Sequence, residues 1–193
     1  AGLTYRSGMD ITYDGDGRFN GLSGKIETEL HFPQNVGLGL SVRPTERLRL
    51  EVAAEWTEWS ENQFREIHSD FMPPSMNPLV VPQQWEDSWI LMVGAEYELD
   101  EQWTLRCGYG YNEQPAPAAY ADPTIPQGDT HAASVGASYR VNDHLTLEGA
   151  ALMSYGKKRE LTLVDVTAPT PTPVTGEYHA VGYYISGGLR YQF

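Results

Sequence analysis

"WTLRCGYGYN", Trp103–Asn112, alternates without a single exception. Trp103, Leu105, Cys107, Tyr109 and Tyr111 fall on one face, and Thr104, Arg106, Gly108, Gly110 and Asn112 on the other. Successive side chains of a strand point to opposite faces, so this segment is a strand with one greasy side and one small or polar side. Working outward, the same alternation recurs over residues 1–13, 26–42, 47–59, 85–99, 131–141, 144–156 and 178–193, which makes eight strands in all. Thr28 and Gln34 are polar exceptions on the apolar face of the second.

The connections alternate in length. Pro44-Thr45-Glu46, Asp100-Glu101-Gln102 and Asn142-Asp143 are tight, whereas residues 14–25, 60–84, 113–130 and 157–177 form long links. Short turns at one end and long loops at the other are the pattern of an outer-membrane barrel whose short turns face the periplasm. Aromatics on the apolar face gather towards the strand ends. Trp103, Tyr97, Tyr139, Tyr191 and Phe193 lie near the short turns, and Tyr13, Trp56, Trp89, Tyr111 and Tyr155 near the long loops. Two aromatic girdles around an apolar band match the two water interfaces of a bilayer. A soluble sandwich or lipocalin-like barrel also alternates, but with its apolar face inward. Here the polar face carries glycine, Arg and Glu rather than Lys, Thr and Gln, which favours the inverted arrangement. The expected fold is all-β: a single transmembrane antiparallel up-and-down barrel of eight strands over residues 1–193, in a bacterial outer membrane.

Composition bounds the function. The formal charge of −13, from 26 acidic residues against 13 Lys plus Arg, argues against a nucleic-acid partner. The single cysteine, Cys107, excludes an intramolecular disulfide and a thiolate metal cage. Five histidines lack ligand spacing, and "DGDG" at Asp14–Gly17 lacks the ligands that follow in a calcium loop, so neither metal nor cofactor is expected. The negative mean hydropathy is compatible with a membrane barrel, because half of each spanning strand is polar. Ala1–Tyr5 already reads as strand, without a signal peptide, so the expectation is a mature product or a piece of something longer.

"SVRPTERLRLEVAAEWTEWS" (41–60), "WILMVGAEYELDEQWTLRCGYGYNEQP" (89–115), "ASVGASYRVNDHLTLEGA" (133–150) and the opening "AGLTYRSGMDITYDGDGRFNG" resemble the long-chain fatty acid transporter family, FadL. The resemblance covers essentially the whole chain. It implies a barrel that moves fatty acids and other hydrophobic molecules inward. Family members have fourteen strands preceded by a hatch. This chain matches the last eight, and the hatch, the first six strands and the wall kink have no counterpart. The expectation is therefore a truncated, redesigned or naturally short relative, closing as eight strands with its first strand paired to its last and enclosing at most a small pore. A non-transporting scaffold barrel and a lipid-modifying enzyme remain open as alternatives. The enzyme reading has only one mid-strand inward histidine, His31, to build on, so the protein is expected not to be an enzyme.

The inward charged set, Arg6, Arg49, Glu51, Glu55, Glu96, Arg106, Arg140, Glu148 and Arg190, admits two readings: a site for an acyl carboxylate, or a salt-bridge network that fills the lumen. The link "FREIHSDFMPPSMNPLVVP" (64–82) is apolar for an extracellular loop. Its Phe64, Phe71, Met72, Met76 and Leu79 suit either capture of a hydrophobic ligand, lipid or detergent, or self-packing over the barrel mouth. Leu189, Tyr191 and Phe193 resemble the C-terminal signature read by the outer-membrane insertion machinery, an expected partner.

Overall fold

A computed structural model describes residues 1–19, 21–121, 128–165 and 172–192. Its strands are β1 (Gly2–Arg6), β2 (Met9–Phe19), β3 (Leu22–Phe32), β4 (Asn35–Thr45), β5 (Leu48–Thr57), β6 (Phe64–Ser69), β7 (Leu79–Pro82), β8 (Ser88–Glu98), β9 (Trp103–Asn112), β10 (Thr130–Arg140), β11 (Leu145–Asp165) and β12 (Thr172–Tyr191). Eight of them pair antiparallel in the order β1-β4-β5-β8-β9-β10-β11-β12, and a second sheet runs β2-β3-β6-β7. The eight expected strands all contribute to the large sheet, but the first two are each cut in two.

The cut has a local cause. Pro33 has no N–H to give a ladder and is buried, while Ser7 and Gly8 opposite it are also unpaired, so pairing stops at Arg6↔Asn35 and resumes at Met9↔Phe32. A Cβ at Gly8 would stand 3.2 Å from the Phe32 carbonyl oxygen, so a larger residue there would push the two backbones apart by a few tenths of an ångström. Gln34 fills the break. Its Oε1 accepts from the Tyr5 hydroxyl at 3.0 Å, its Nε2 donates to Glu58, and its carbonyl accepts from the Glu58 N–H at 3.1 Å. Beyond the break β2 and β3 leave the large sheet, and β6 joins β3 from Ile26↔Ser69 to Thr28↔Ile67. The segment expected as an apolar cap is therefore the β6/β7 hairpin of this outer sheet, not an irregular loop. Of the residues expected to suit capture or self-packing, Phe64 lines a cavity of about 590 Å³ beside β3 and β6. Phe71 lies over Gly24 of β3, where an added Cβ would meet it at 3.3 Å, and Met76 and Leu79 stay exposed.

Among the described residues, Leu161, 1% exposed, is the only buried hydrophobic side chain. A water-soluble chain of this length hides many large apolar side chains. Here Leu38, Val52, Val93, Val135, Ile185 and Leu189 all lie open on one face of the large sheet, Ile185 at 89% exposure. The hydrophobic surface is turned outward, which is stable only against lipid. The girdles frame it. Eight residues separate Trp89 from Tyr97, Trp103 from Tyr111 and Tyr183 from Tyr191. That spacing is roughly 27 Å along a strand. At a tilt of about 40° it spans about 21 Å, close to the ~25 Å apolar band of outer-membrane barrels. Trp103 and Tyr139 pack at 4.8 Å at one border, and Tyr111 and His131 at 5.2 Å at the other. Each tight turn is closed by a side-chain oxygen. Thr45 accepts from the Leu48 N–H, Asp100 from Gln102 and Trp103, and Asn142 from His144 and Leu145, at 2.7–3.1 Å.

The expected seam is not formed: among the described residues β1 pairs only with β4, and β12 only with β11. The expected first strand supplies only Gly2–Arg6 to the large sheet, because the Gly8/Pro33 break diverts the rest, while β12 runs for 20 residues. The large sheet is an open wall.

Candidate functional site

The polar face of the wall carries an ordered belt of charge near the short turns. Arg49 stands opposite Glu96 across β5/β8, and Glu96 opposite Arg106 across β8/β9. Arg106 Nε donates to Glu96 Oε2 at 2.7 Å, and its Nη1 reaches the buried Ser138 hydroxyl on β10. Opposite Ser138 is Glu148, which accepts from Arg190 Nη2 at 2.7 Å. Arg49 Nε sits 3.3 Å from Glu51 and 3.7 Å from Glu96, an ion contact with both and a hydrogen bond to neither. Six of the nine inward charges expected from the sequence thus join in two linked groups with alternating sign. Glu96, 18% exposed, is the most enclosed member because two arginines flank it.

Above and below the belt lie cavities. Arg140, His144 and Arg190 line one of about 330 Å³ at the short-turn end. Ser134, Gly136, Ala150 and Gly188, together with Arg106 and Glu148 of the belt, line one of about 400 Å³ at mid-height, where the small residues leave space. Arg6 and Glu55, the remaining two expected residues, line a third of about 500 Å³ towards the long loops. His31, the histidine on which the enzyme reading rested, is not on the wall. It lies in the outer sheet, with Nδ1 2.6 Å from Asp10 and Nε2 3.8 Å from Glu61, so both ring nitrogens face carboxylates rather than a nucleophile. Among the described residues no group of His, Cys, Asp and Glu is arranged to hold a metal ion. Leu189 and Tyr191 are exposed on the apolar face, and Phe193 lies outside the described residues.

The long-loop rim is tied by Asp129. Its carboxylate accepts from the Gln114 N–H at 3.1 Å, the Tyr111 hydroxyl at 3.0 Å and Lys157 Nζ at 3.1 Å. Burial alone would raise its pKa, but these donors and the Lys157 charge hold it below the usual carboxylate value. Arg159, whose pKa burial lowers, donates to the Ala116 carbonyl and straps the 113–121 segment to β11.

A second feature escaped the sequence reading. Trp59 and Trp85 bound a 25-residue link and meet edge to face, ring centroids 5.1 Å apart. Asn62, 8% exposed, clamps them through its backbone: its N–H donates to the Trp59 carbonyl at 2.9 Å, and its carbonyl accepts from the Trp85 N–H at 3.2 Å. Gln84 sits at φ +48°, a left-handed conformation costing about 1–2 kcal/mol in a residue with a Cβ. It is held there by two backbone N–H groups, those of Gln83 and Gln84, both donating to the Gln63 carbonyl at 2.9 Å. The available signal was the pair of polar clusters "SENQ" and "PQQW", which break the alternation next to each Trp.

An outward apolar band, two aromatic girdles and a polar face of ion pairs and cavities define the wall of an outer-membrane β-barrel. Comparison narrows this. Residues 1–193 match the family described as "Outer membrane protein transport protein (OMPP1/FadL/TodX)", and the chain belongs to that family of the bacterial outer membrane. It is similar to a long-chain fatty acid transport protein of Escherichia coli O6:H1, 25% identical over 83% of this chain and 40% of the relative. It is likewise similar to outer membrane protein P1 of Haemophilus influenzae, 25% identical over 100% of this chain and 43% of the relative. The fold is shared with a Pseudomonas aeruginosa FadL homologue at a TM-score of 0.81 and 24% identity, covering 98% of this chain and 48% of the homologue. It is also shared with the Pseudomonas putida toluene transporter TodX, at 0.64 and 16%, covering 99% of this chain and 45% of that one. The chain spans under half the length of each of these relatives.

Proposed function

We propose that the chain forms one wall of a conduit that carries hydrophobic compounds, fatty acids or apolar aromatics, across the outer membrane. The observation that carries this reading is the run of cavities along the polar face, from the long-loop rim past the glycine-lined middle to the short turns. The relatives' transport of fatty acid and toluene supports the cargo class. The unpaired outer edges of β1 and β12 receive further strands, so that the eight-stranded sheet is part of a larger closed barrel rather than a small barrel by itself. The belt then bars the lumen to bulk water while leaving Arg106 and Arg190 within reach of a carboxylate that displaces a glutamate. Lipid is the partner of the outer face.

Proteoliposomes containing the intact protein are expected to accumulate radiolabelled oleate or toluene several-fold faster than empty liposomes, as a flux assay would record. Equal rates would overturn the transport reading.

A further inference from the structure

On the polar face beside the short turns, a row of side chains runs straight across the last three strands of the wall. Arg140 of β10 stands opposite Thr146 of β11, and Thr146 opposite Arg190 of β12. Neighbouring strands lie about 4.8 Å apart, so the two arginine backbones are roughly 9.5 Å from each other, with Thr146 between them. The row lines a notch of about 330 Å³ whose other lining residues are polar as well. Arg190 Nη2 donates to Glu148 at 2.7 Å, on the side towards mid-height. Arg49 and Arg106 of the belt also face glutamates. Among the described residues, the Arg140 guanidinium has neither a hydrogen-bond nor an ion-pair partner.

We propose that Arg140, Thr146 and Arg190 form a cradle for the carboxylate of an acid cargo at the periplasmic end of the wall, holding it before release. The inference rests on the transport reading and narrows it to acid-bearing compounds. A guanidinium offers its N–H donors in a planar fork that matches two carboxylate oxygens, and two forks facing across one hydroxyl close on a small oxyanion. Because Glu148 already answers Arg190, about one positive charge is left over. That suits a monoanion better than a phosphate ester, whose charge is near −2. Asp143, the one carboxylate in the lining, is exposed at the tight turn, where water and salt screen it. A hydrocarbon tail has its own place, because Gly136 and Ala150 of the mid-height cavity lie four residues back along β10 and β11, roughly 13 Å away. A neutral aromatic brings no acceptor to exchange for the water on these donors, so the cradle gives it no hold.

The test uses the intact protein in lipid nanodiscs. Phenylglyoxal modifies accessible arginines, and mass spectrometry of the digested protein reads each one separately. Octanoate near saturation is expected to slow modification of Arg140 about tenfold, as charge-assisted hydrogen bonds would, while octanol and inorganic phosphate leave the rate unchanged. Arg43, on β4 at the same end of the wall, is the internal control and should keep its rate throughout. In Arg190→Gln, checked for folding by heat-shifted electrophoretic migration, the octanoate concentration that half-protects Arg140 should rise about tenfold. An unchanged concentration in the folded variant overturns the two-arginine cradle, and equal protection by phosphate overturns the carboxylate assignment. Uptake of radiolabelled octanoate into proteoliposomes is measured in parallel. Uptake without protection of Arg140 overturns the cradle alone, whereas protection without uptake upholds the binding site and overturns the transport reading.

Discussion

Arginine in place of Val135 is expected to cost about 2–4 kcal/mol of stability in lipid, the cost of a cation at the midplane of a barrel wall. Val135 is 62% exposed at the middle of β10, and its register neighbours are Cys107 and Ala151 on the same face. Four residues towards each end lie His131 and Tyr139, one at each aromatic border, so no interface is near enough for the guanidinium to reach without distorting the bilayer. The matched control is Ala150→Arg, on the opposite face beside the mid-height cavity, where the new cation has space and lies near Glu148. It should change stability by about 1 kcal/mol or less. Reversible urea unfolding into vesicles measures both. Equal small costs for the two would mean that the outward face is bathed in water.

The second large effect belongs to Glu96. Replacing it with lysine puts a cation between Arg49 and Arg106: Arg106 loses its carboxylate, and Arg49 is left with Glu51 alone. Glu96→Gln removes the charge but keeps an acceptor, and should cost about 1 kcal/mol after screening of the half-exposed arginines. Glu96→Lys adds like-charge repulsion on both sides, and should cost about 2–3 kcal/mol, shrinking with added salt. The pair Glu96→Gln and Arg106→Gln, taken as a double-mutant cycle, should show a coupling near 1 kcal/mol. A cycle that closes to zero would mean that the Glu96–Arg106 contact contributes no energy, and that the polar face is ordered by its backbone alone.

Much of this wall is legible in residues. The alternation of Trp103–Asn112 and its neighbours fixes each strand and its face, because period two is imposed by the backbone and survives any tertiary context. The belt is legible as a set of inward Arg and Glu, although which glutamate meets which arginine depends on register, and register is set by turns such as Asp100 and Asn142. Two things were not legible. The Gly8/Pro33 break preserves hydrophobic periodicity on both sides, so residues 1–13 and 26–42 read as unbroken strands although each serves two sheets. The β6/β7 hairpin has only short strands and pairs with distant β3, so nothing local in 64–82 announces it. Strand count alone suggests closure as eight strands, whereas closure depends on what the edge strands can pair with.

A spin-label scan along β10, from His131 to Tyr139 in the lipid-reconstituted intact protein, tests the outward-facing wall most directly. Labels at Ala133, Val135 and Ala137 should collide with dissolved oxygen and be shielded from a water-soluble nickel chelate, while those at Ala132, Ser134 and Gly136 show the reverse order. High nickel accessibility at Ala133, Val135 and Ala137 would contradict the account, because it would place the apolar face in water.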